Sequence, residues 1–127
     1  AEDVVRTFTN TGLFNYHWNH RLHSWFVHIP GLRVVMPYSV SDARDLLIAS
    51  VLSGDPVIYI DDRWLYSNEE LLQPVVELDL KSQGPKVIKE GTEITLVAAG
   101  FSTQLALEAS EKLKIQNISY GLMILMA

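Results

Sequence analysis

The sequence predicts an α/β fold built from two strand–helix–strand pieces with parallel strands, at residues 32–60 and 94–126. Three observations carry this. Each piece has short apolar, β-branched runs flanking a stretch with helical periodicity, the joints between them are only a few residues long, and a polar segment at 67–92 separates the two. Strand, helix and strand with short joints make a crossover unit whose two strands run parallel.

The first 28 residues stand apart, holding all four histidines (His17, His20, His23, His28) and little periodicity. Ile29-Pro30-Gly31 punctuates like a turn. Leu32-Arg33-Val34-Val35-Met36 is a buried-type strand stopped by Pro37. Ser41 is placed to cap the next helix, with Asp42 at its positive pole. Ala43, Leu46, Leu47, Ser50 and Val51 repeat at helical spacing, and Gly54 is a natural stop. Pro56-Val57-Ile58-Tyr59-Ile60 then reads as a strand covered on both faces.

Residues 67–92 have the composition of a linker draped over a surface, with only Val75-Val76 and residues 78–80 able to pack. Residues 93–100 read as a second doubly covered strand running into a glycine turn, and Ser102 or Thr103 can cap the helix that follows. Leu105, Ala106, Ala109 and Leu113 form its apolar stripe, and residues 117–126 form a further strand. Each piece supplies one helix for a two-faced sheet. Bare apolar faces and edges are therefore expected, and with them a piece of a larger protein, self-association or dependence on a partner.

Composition narrows the function. The chain has 127 residues, 48% of them apolar, and 10 basic against 15 acidic side chains for a net charge of −5. That charge opposes a phosphate-backbone partner, so no nucleic acid is expected. No apolar run approaches the roughly 20 residues of a membrane-spanning helix. The absence of cysteine removes disulfides and thiolate zinc sites and fits a cytoplasmic chain. The histidine spacing rotates away from a single helix face and lacks a completing carboxylate, so surface histidines are the better reading than a metal site. Asp61 and Asp62 alternate in direction along a strand, which rules out a shared-proton pair and favours solvated or ion-paired carboxylates.

Trp25-Phe26-Val27-His28-Ile29-Pro30-Gly31-Leu32-Arg33-Val34-Val35-Met36-Pro37 resembles a segment of the beta subunits of thiamine-diphosphate-dependent 2-oxo acid dehydrogenases. These are the pyruvate and branched-chain enzymes of the transketolase superfamily, whose segment reads Trp-aromatic-x-His-x-Pro-Gly-Leu-Lys/Arg-Val-Val-x-Pro. The likeness continues through residues 39–47, 55–58 and 63–66, and beyond the linker through 86–98 and 107–113. It covers residues 20–120 almost without gaps.

The resemblance implies a partial transketolase-like pyrimidine-binding domain over residues 1–66, a linker over 67–92 and the start of a transketolase C-terminal domain over 93–127. It implies oxidative decarboxylation of pyruvate or a branched-chain 2-oxo acid, with transfer of the acyl group to lipoyl. The expected partners are an alpha-type subunit and the lipoyl acyltransferase, within a heterotetramer. Thiamine diphosphate and its magnesium belong to the alpha-type subunit in that family, so no cofactor contact falls on this chain and the chain alone is expected to be inactive. A family beta subunit is more than twice as long. A non-catalytic interaction module is the alternative.

Two departures stand out. The family's active-site histidine, in Gln-His-Ser-Gln-Ser-Leu, aligns without gaps on Trp18, and His17 and His20 flank that position as the acid–base candidates. Gly121, Ile124 and Met126 replace polar residues near the end of the match. The carbonyls ending the helix at residues 50–55 form an oxygen-rich negative pole. In the family this loop holds potassium, chiefly through backbone oxygens, and Ser50, Ser53 and Asp55 fall on the matching positions. His28 is expected to pack beside Trp25.

Overall fold

The computed structural model of the chain describes residues 4–9 and 23–125. The elements are β1 (Val4–Thr9), α1 (His23–Val27), β2 (Arg33–Val35), α2 (Val40–Leu52), β3 (Val57–Asp62), a 3-10 turn (Arg63–Leu65), β4 (Lys86–Lys89), β5 (Ile94–Ala99), α3 (Ser102–Ile115) and β6 (Tyr120–Leu125). They form two three-stranded sheets, ordered β1-β3-β2 and β4-β6-β5. Both expected crossover units are present: β2 pairs parallel with β3, and β5 pairs parallel with β6.

Each sheet also has a strand that periodicity did not reveal. β1 pairs parallel with β3 in a register from Val4–Val57 to Thr9–Asp62. β4 pairs antiparallel with β6, so the segment read as linker to residue 92 ends in a strand, and the second sheet begins at Lys86. The exposure of all four β4 residues explains why the segment read as linker.

β3 is buried along its whole length, as its apolar run predicts. Val57 and Tyr59 face α2, packing with Val35, Leu46, Ala49 and Leu80. Ile58 and Ile60 face the other way and pack with Val34 and Met36, covered by Phe26, Leu32 and Ala99. The last of these belongs to β5, so the second unit helps cover the first sheet. Asp61 and Asp62 are buried as well, which corrects the solvated half of the solvated-or-ion-paired reading. The Tyr66 hydroxyl donates to Asp61 Oδ2 at 2.8 Å, and Asp62 Oδ1 accepts from the Trp64 amide at 3.1 Å, capping the turn. β5 departs from its doubly covered reading, since Ile94 and Val97 are 40% and 57% exposed.

The helix ends differ by a few residues from expectation. Ser39, with extended φ and ψ, caps α2 in place of Ser41, and its hydroxyl accepts from the Asp42 amide at 3.2 Å. α3 has no side-chain cap. Its Ser102 hydroxyl instead donates to the Ala99 carbonyl, stitching the helix to the end of β5. At the far end Asn117 has a left-handed φ of 58°. The Ile118 and Asn117 amides donate to the Leu113 and Lys114 carbonyls, a Schellman closure that delays β6 to Tyr120.

Residues 68–83 form a strap along α2. Glu70 Oε2 accepts from the Ser41 amide, and Arg44 donates to the carbonyls of Gln73 and Pro74. Asp45 takes the Val76 amide, Leu80 enters the core at 3% exposure, and Arg33 Nη1 donates to the Leu80 carbonyl at 2.8 Å. Leu71, Leu72, Val75 and Val76 stay more than half exposed. The strap is fastened by polar contacts and by Leu80, with Leu78 packed beside it against the core.

Two measurements check these packing arguments. A β-carbon on Gly91 would overlap the backbone of Tyr120 and Gly121. Gly91→Ala is therefore expected to cost about 2 kcal/mol, as overpacking does, seen as a lower denaturant midpoint at unchanged slope. Hydrogen bonding from Arg44 holds the Asp45 carboxyl below its ordinary range. A depressed folded pKa gives stability that is present above the unfolded value of about 3.9 and is lost as pH falls through the folded one. Asp45→Asn should therefore flatten the stability profile between about pH 5 and pH 2; a profile parallel to wild type would contradict this.

Candidate functional site

β1, β2 and β3 run parallel, so their carboxyl ends share one edge of the sheet. In open α/β sheets that edge is where ligands bind. Here it gathers Met36, Pro37, Asp61, Asp62 and the 3-10 turn. The β5–α3 turn joins them, because Gly100, at a φ of +54°, comes so close to Met36 that a β-carbon would lie 3.2 Å from its terminal methyl. Trp64 stacks on Phe101 with ring centroids 5.8 Å apart and planes 25° apart, an offset arrangement that ties the two units together. The chain leaves β1 at Thr9, opposite Asp62, and its description resumes at His23. His17 and His20 fall between these points, outside the described residues.

The loop after α2 lies at the opposite edge, where β2 and β3 begin. Ser50 is buried and donates to the Leu46 carbonyl at 2.6 Å. The Ser53 hydroxyl accepts from the Asp55 amide at 3.2 Å. Asp55 Oδ2 takes Arg33 Nε at 2.8 Å in an ion pair about one third exposed on both sides. All three side chains predicted for the cation position thus make a contact within the protein, Asp55 through Oδ2. A cleft of about 240 Å³ opens beside this loop, lined by Ala49, Leu52, Ser53, Gly54 and residues 78–81. A second cleft, of about 190 Å³, lies between Val27, Leu32, Val34, Leu80, Gln83 and Arg33. Among the described residues no three His, Asp or Glu side chains converge on a metal position.

Two groups with displaced pKa values, Tyr38 and Asp42, follow Pro37 and open α2, at the carboxyl edge of the first sheet. Burial lifts the Asp42 carboxyl, against the pull of Lys86 and with the push of Asp45 and Glu70. Burial, then Asp42 and Glu70, lifts the Tyr38 hydroxyl. At the start of β6, hydrogen bonding with Ser110 and then Lys89 pulls the Tyr120 phenol down, and Lys89 Nζ sits 3.6 Å from its ring centroid. His28 is exposed and its ring nitrogen lies 3.3 Å from the Ser24 carbonyl, a local contact within the α1 turn.

Thiamine diphosphate can be tested against the edge by its chemistry. Two buried carboxylates and stacked rings disfavour a diphosphate, so the residues described at the edge do not fit that part of the cofactor. Sequence reasoning did not anticipate Arg33 as the bridge between the Asp55 loop and the strap, nor the Trp64–Phe101 stack. The only prior signal for Arg33 was a basic residue entering an apolar strand.

The fold defined by these sheets is transketolase-like. A split-gene transketolase, described as an inactive β4 tetramer, superposes at a TM-score of 0.68 with 22% identity, covering 83% of this chain and 34% of that one. A transketolase variant from Pichia stipitis superposes at 0.62 with 21% identity, covering 81% and 15%. By sequence, the chain is similar to beta subunits of the pyruvate dehydrogenase E1 component. It is 39% identical to that of Saccharomyces cerevisiae over 95 residues, 71% of this chain and 25% of the yeast subunit. It is 40% identical to that of Staphylococcus epidermidis over 92 residues, 71% of this chain and 28% of that subunit. For the Rhizobium meliloti subunit the identity is 34%, over 75% of this chain and 21% of that one. The chain therefore spans about a quarter of the length of the curated relatives it matches. No family model matches. The motif resemblance and the α/β class read from the sequence both hold.

Arg33→Ala removes the donors to Asp55 and to the Leu80 carbonyl together. It should cost about 1 kcal/mol, as a part-exposed charged hydrogen-bond pair does, and speed proteolysis within residues 78–83, with Arg33→Lys falling between. Unchanged cleavage there would show that the Leu80 side chain alone holds the strap.

Proposed function

We propose that this chain is a beta-type part of a thiamine-diphosphate-dependent 2-oxo acid dehydrogenase. In that role it takes part in oxidative decarboxylation of pyruvate or a branched-chain 2-oxo acid, with transfer of the acyl group to lipoyl. The supporting observation is 34–40% identity to pyruvate dehydrogenase E1 beta subunits on a transketolase-like fold. Residues 1–66 act as part of a pyrimidine-binding domain, and 67–92 as a linker whose last stretch, β4, already joins the sheet of the C-terminal domain that starts over 93–127. An alpha-type subunit binds the diphosphate and magnesium, in keeping with the acidic character of the carboxyl edge here. His20 or His17 serves as the acid–base group. The loop at Ser50, Ser53 and Asp55 holds potassium through main-chain oxygens, with Arg33 fixing its shape. The lipoyl acyltransferase receives the product. The working compartment is that of the assembled enzyme, the cytoplasm in a bacterial setting; the yeast relative is named as mitochondrial. Among the described residues no helix is long and apolar enough to cross a membrane.

The isolated chain should give no thiamine-dependent decarboxylation of pyruvate or branched 2-oxo acids, and adding an alpha-type subunit should restore it. With that activity in hand, His20→Ala or His17→Ala should lower kcat at least tenfold, in the range removal of an acid–base group produces. Turnover by the chain alone would sink the division of labour between subunits. A second reading, a non-catalytic assembly module, draws on the inactive β4 tetramer among the similar folds. It predicts binding to the alpha-type subunit with no turnover restored.

A further inference from the structure

We propose that a proton on Asp42 latches the front of the strap to α2, and that losing this proton frees residues 68–72 beside the carboxyl edge. Asp42 stands in the first turn of α2. The strap is tied to the same turn by the hydrogen bond from the Ser41 amide to Glu70 Oε2 at 3.0 Å. Asp42 Oδ2 is shut off from solvent and has no hydrogen-bond partner. Two first-turn amides that could serve it are already taken, since Ser39 Oγ accepts from the Asp42 amide and Glu70 from that of Ser41. Among the described residues no ion pair reaches it. A buried carboxylate oxygen with neither hydrogen bond nor counter-ion is the costly form, and such a group keeps its proton instead.

The helix dipole by itself favours an ionised residue at this end. Burial outweighs it; Lys86 of β4 pulls toward the ionised form, while Asp45 and Glu70 push with burial. Tyr38, whose hydroxyl feels both Asp42 and Glu70, is the remaining titratable group here. Asp42 and Glu70 thus face one positive helix end, and two carboxylates sharing a site resist carrying charge together. With Asp42 neutral, Glu70 has the Ser41 amide to itself. With Asp42 ionised the two repel, and Glu70, exposed on the strap, is the one free to leave. Asp45, one turn on, is the contrast. Its pairing with Arg44 at 2.7 Å keeps it ionised, so it goes on holding the Val76 amide. Release is therefore confined to the front of the strap, because the Arg44 bonds to Gln73 and Pro74 and the buried Leu80 hold the rest. Closure that rests on a raised carboxyl is full below the ordinary value of about 3.9 and is lost as pH rises through the closed-form value. Within that window the open fraction grows up to about tenfold per pH unit, and above it the fraction levels off. The inference is independent of the catalytic reading, since none of these residues is placed in the reaction.

Leu71 is 86% exposed and the 127-residue chain has no cysteine, so a nitroxide on Leu71→Cys reads the front of the strap. The label should gain mobility as pH rises from about 4, and level off where carbon-13 NMR shows the Asp42 carboxyl fully ionised. The Asp42 midpoint should lie above about 3.9. In an Asp42→Asn background the label should stay held at every pH. If that variant fails to fold, Glu70→Gln decides. Removing the like charge should lower the Asp42 midpoint by about half a pH unit, the scale of one partly screened charge. An Asp42 midpoint at or below about 3.9 overturns the proposal. So does a label whose mobility ignores pH, an Asp42→Asn profile parallel to wild type, or a midpoint unmoved by Glu70→Gln.

Discussion

The whole arrangement depends on the burial of one strand. β3 lies between two others and is hidden on both faces, side chains and carboxylates alike. A strand so placed needs apolar cover above and below, and the crossover helix of its own unit supplies only one side. The other side is met by Phe26, Leu32 and Ala99, and the helix side is completed by Leu80. Residues from α1, the strap and β5 are thereby drawn onto the first sheet. What reads along the chain as linker and second unit is, in space, part of the packing of the first.

This explains which parts of the fold were legible in the sequence. The crossover units were, because Val34-Val35, residues 57–60 and the helical repeat from Ala43 are local patterns, each complete within its own stretch. β4 was not, because strands are recognised by burial and Lys86–Lys89 is exposed throughout; its pairing is supplied by β6, more than thirty residues away. β1 was missed for a related reason. Its partner is β3, across the histidine-rich segment and the entire first crossover. The helix ends moved by small amounts because several serines were equally good candidates, and only backbone geometry selects Ser39 over Ser41.

The candidate site residues were legible to different degrees. Ser50, Ser53 and Asp55 were found as positions, but their side chains turn out to be committed to Leu46, to the loop amide and to Arg33. A main-chain contribution to such a site is encoded by no residue identity. Asp61 and Asp62 were read as solvated or ion-paired because charged residues usually are. Their burial depends on neighbours, Tyr66 among them, that only folding brings near. The sheet also separates two regions that lie close in the motif order, with the carboxylate edge at one end of the strands and the Asp55 loop at the other.

The position of β6 has a consequence for synthesis. In the second sheet β4 and β5 do not touch each other; each is hydrogen-bonded to β6, which lies between them. At the ribosome's pace of roughly 5–20 residues per second, β4 and β5 both emerge before their shared partner exists. For that interval their amides and carbonyls have water as their only pairing, and the nascent second unit has a helix but no sheet. The first unit differs, because β2 and β3 pair across α2 alone. The topology therefore sets the order of pairing in the second sheet: β4 and β5 are joined only once their middle strand has emerged.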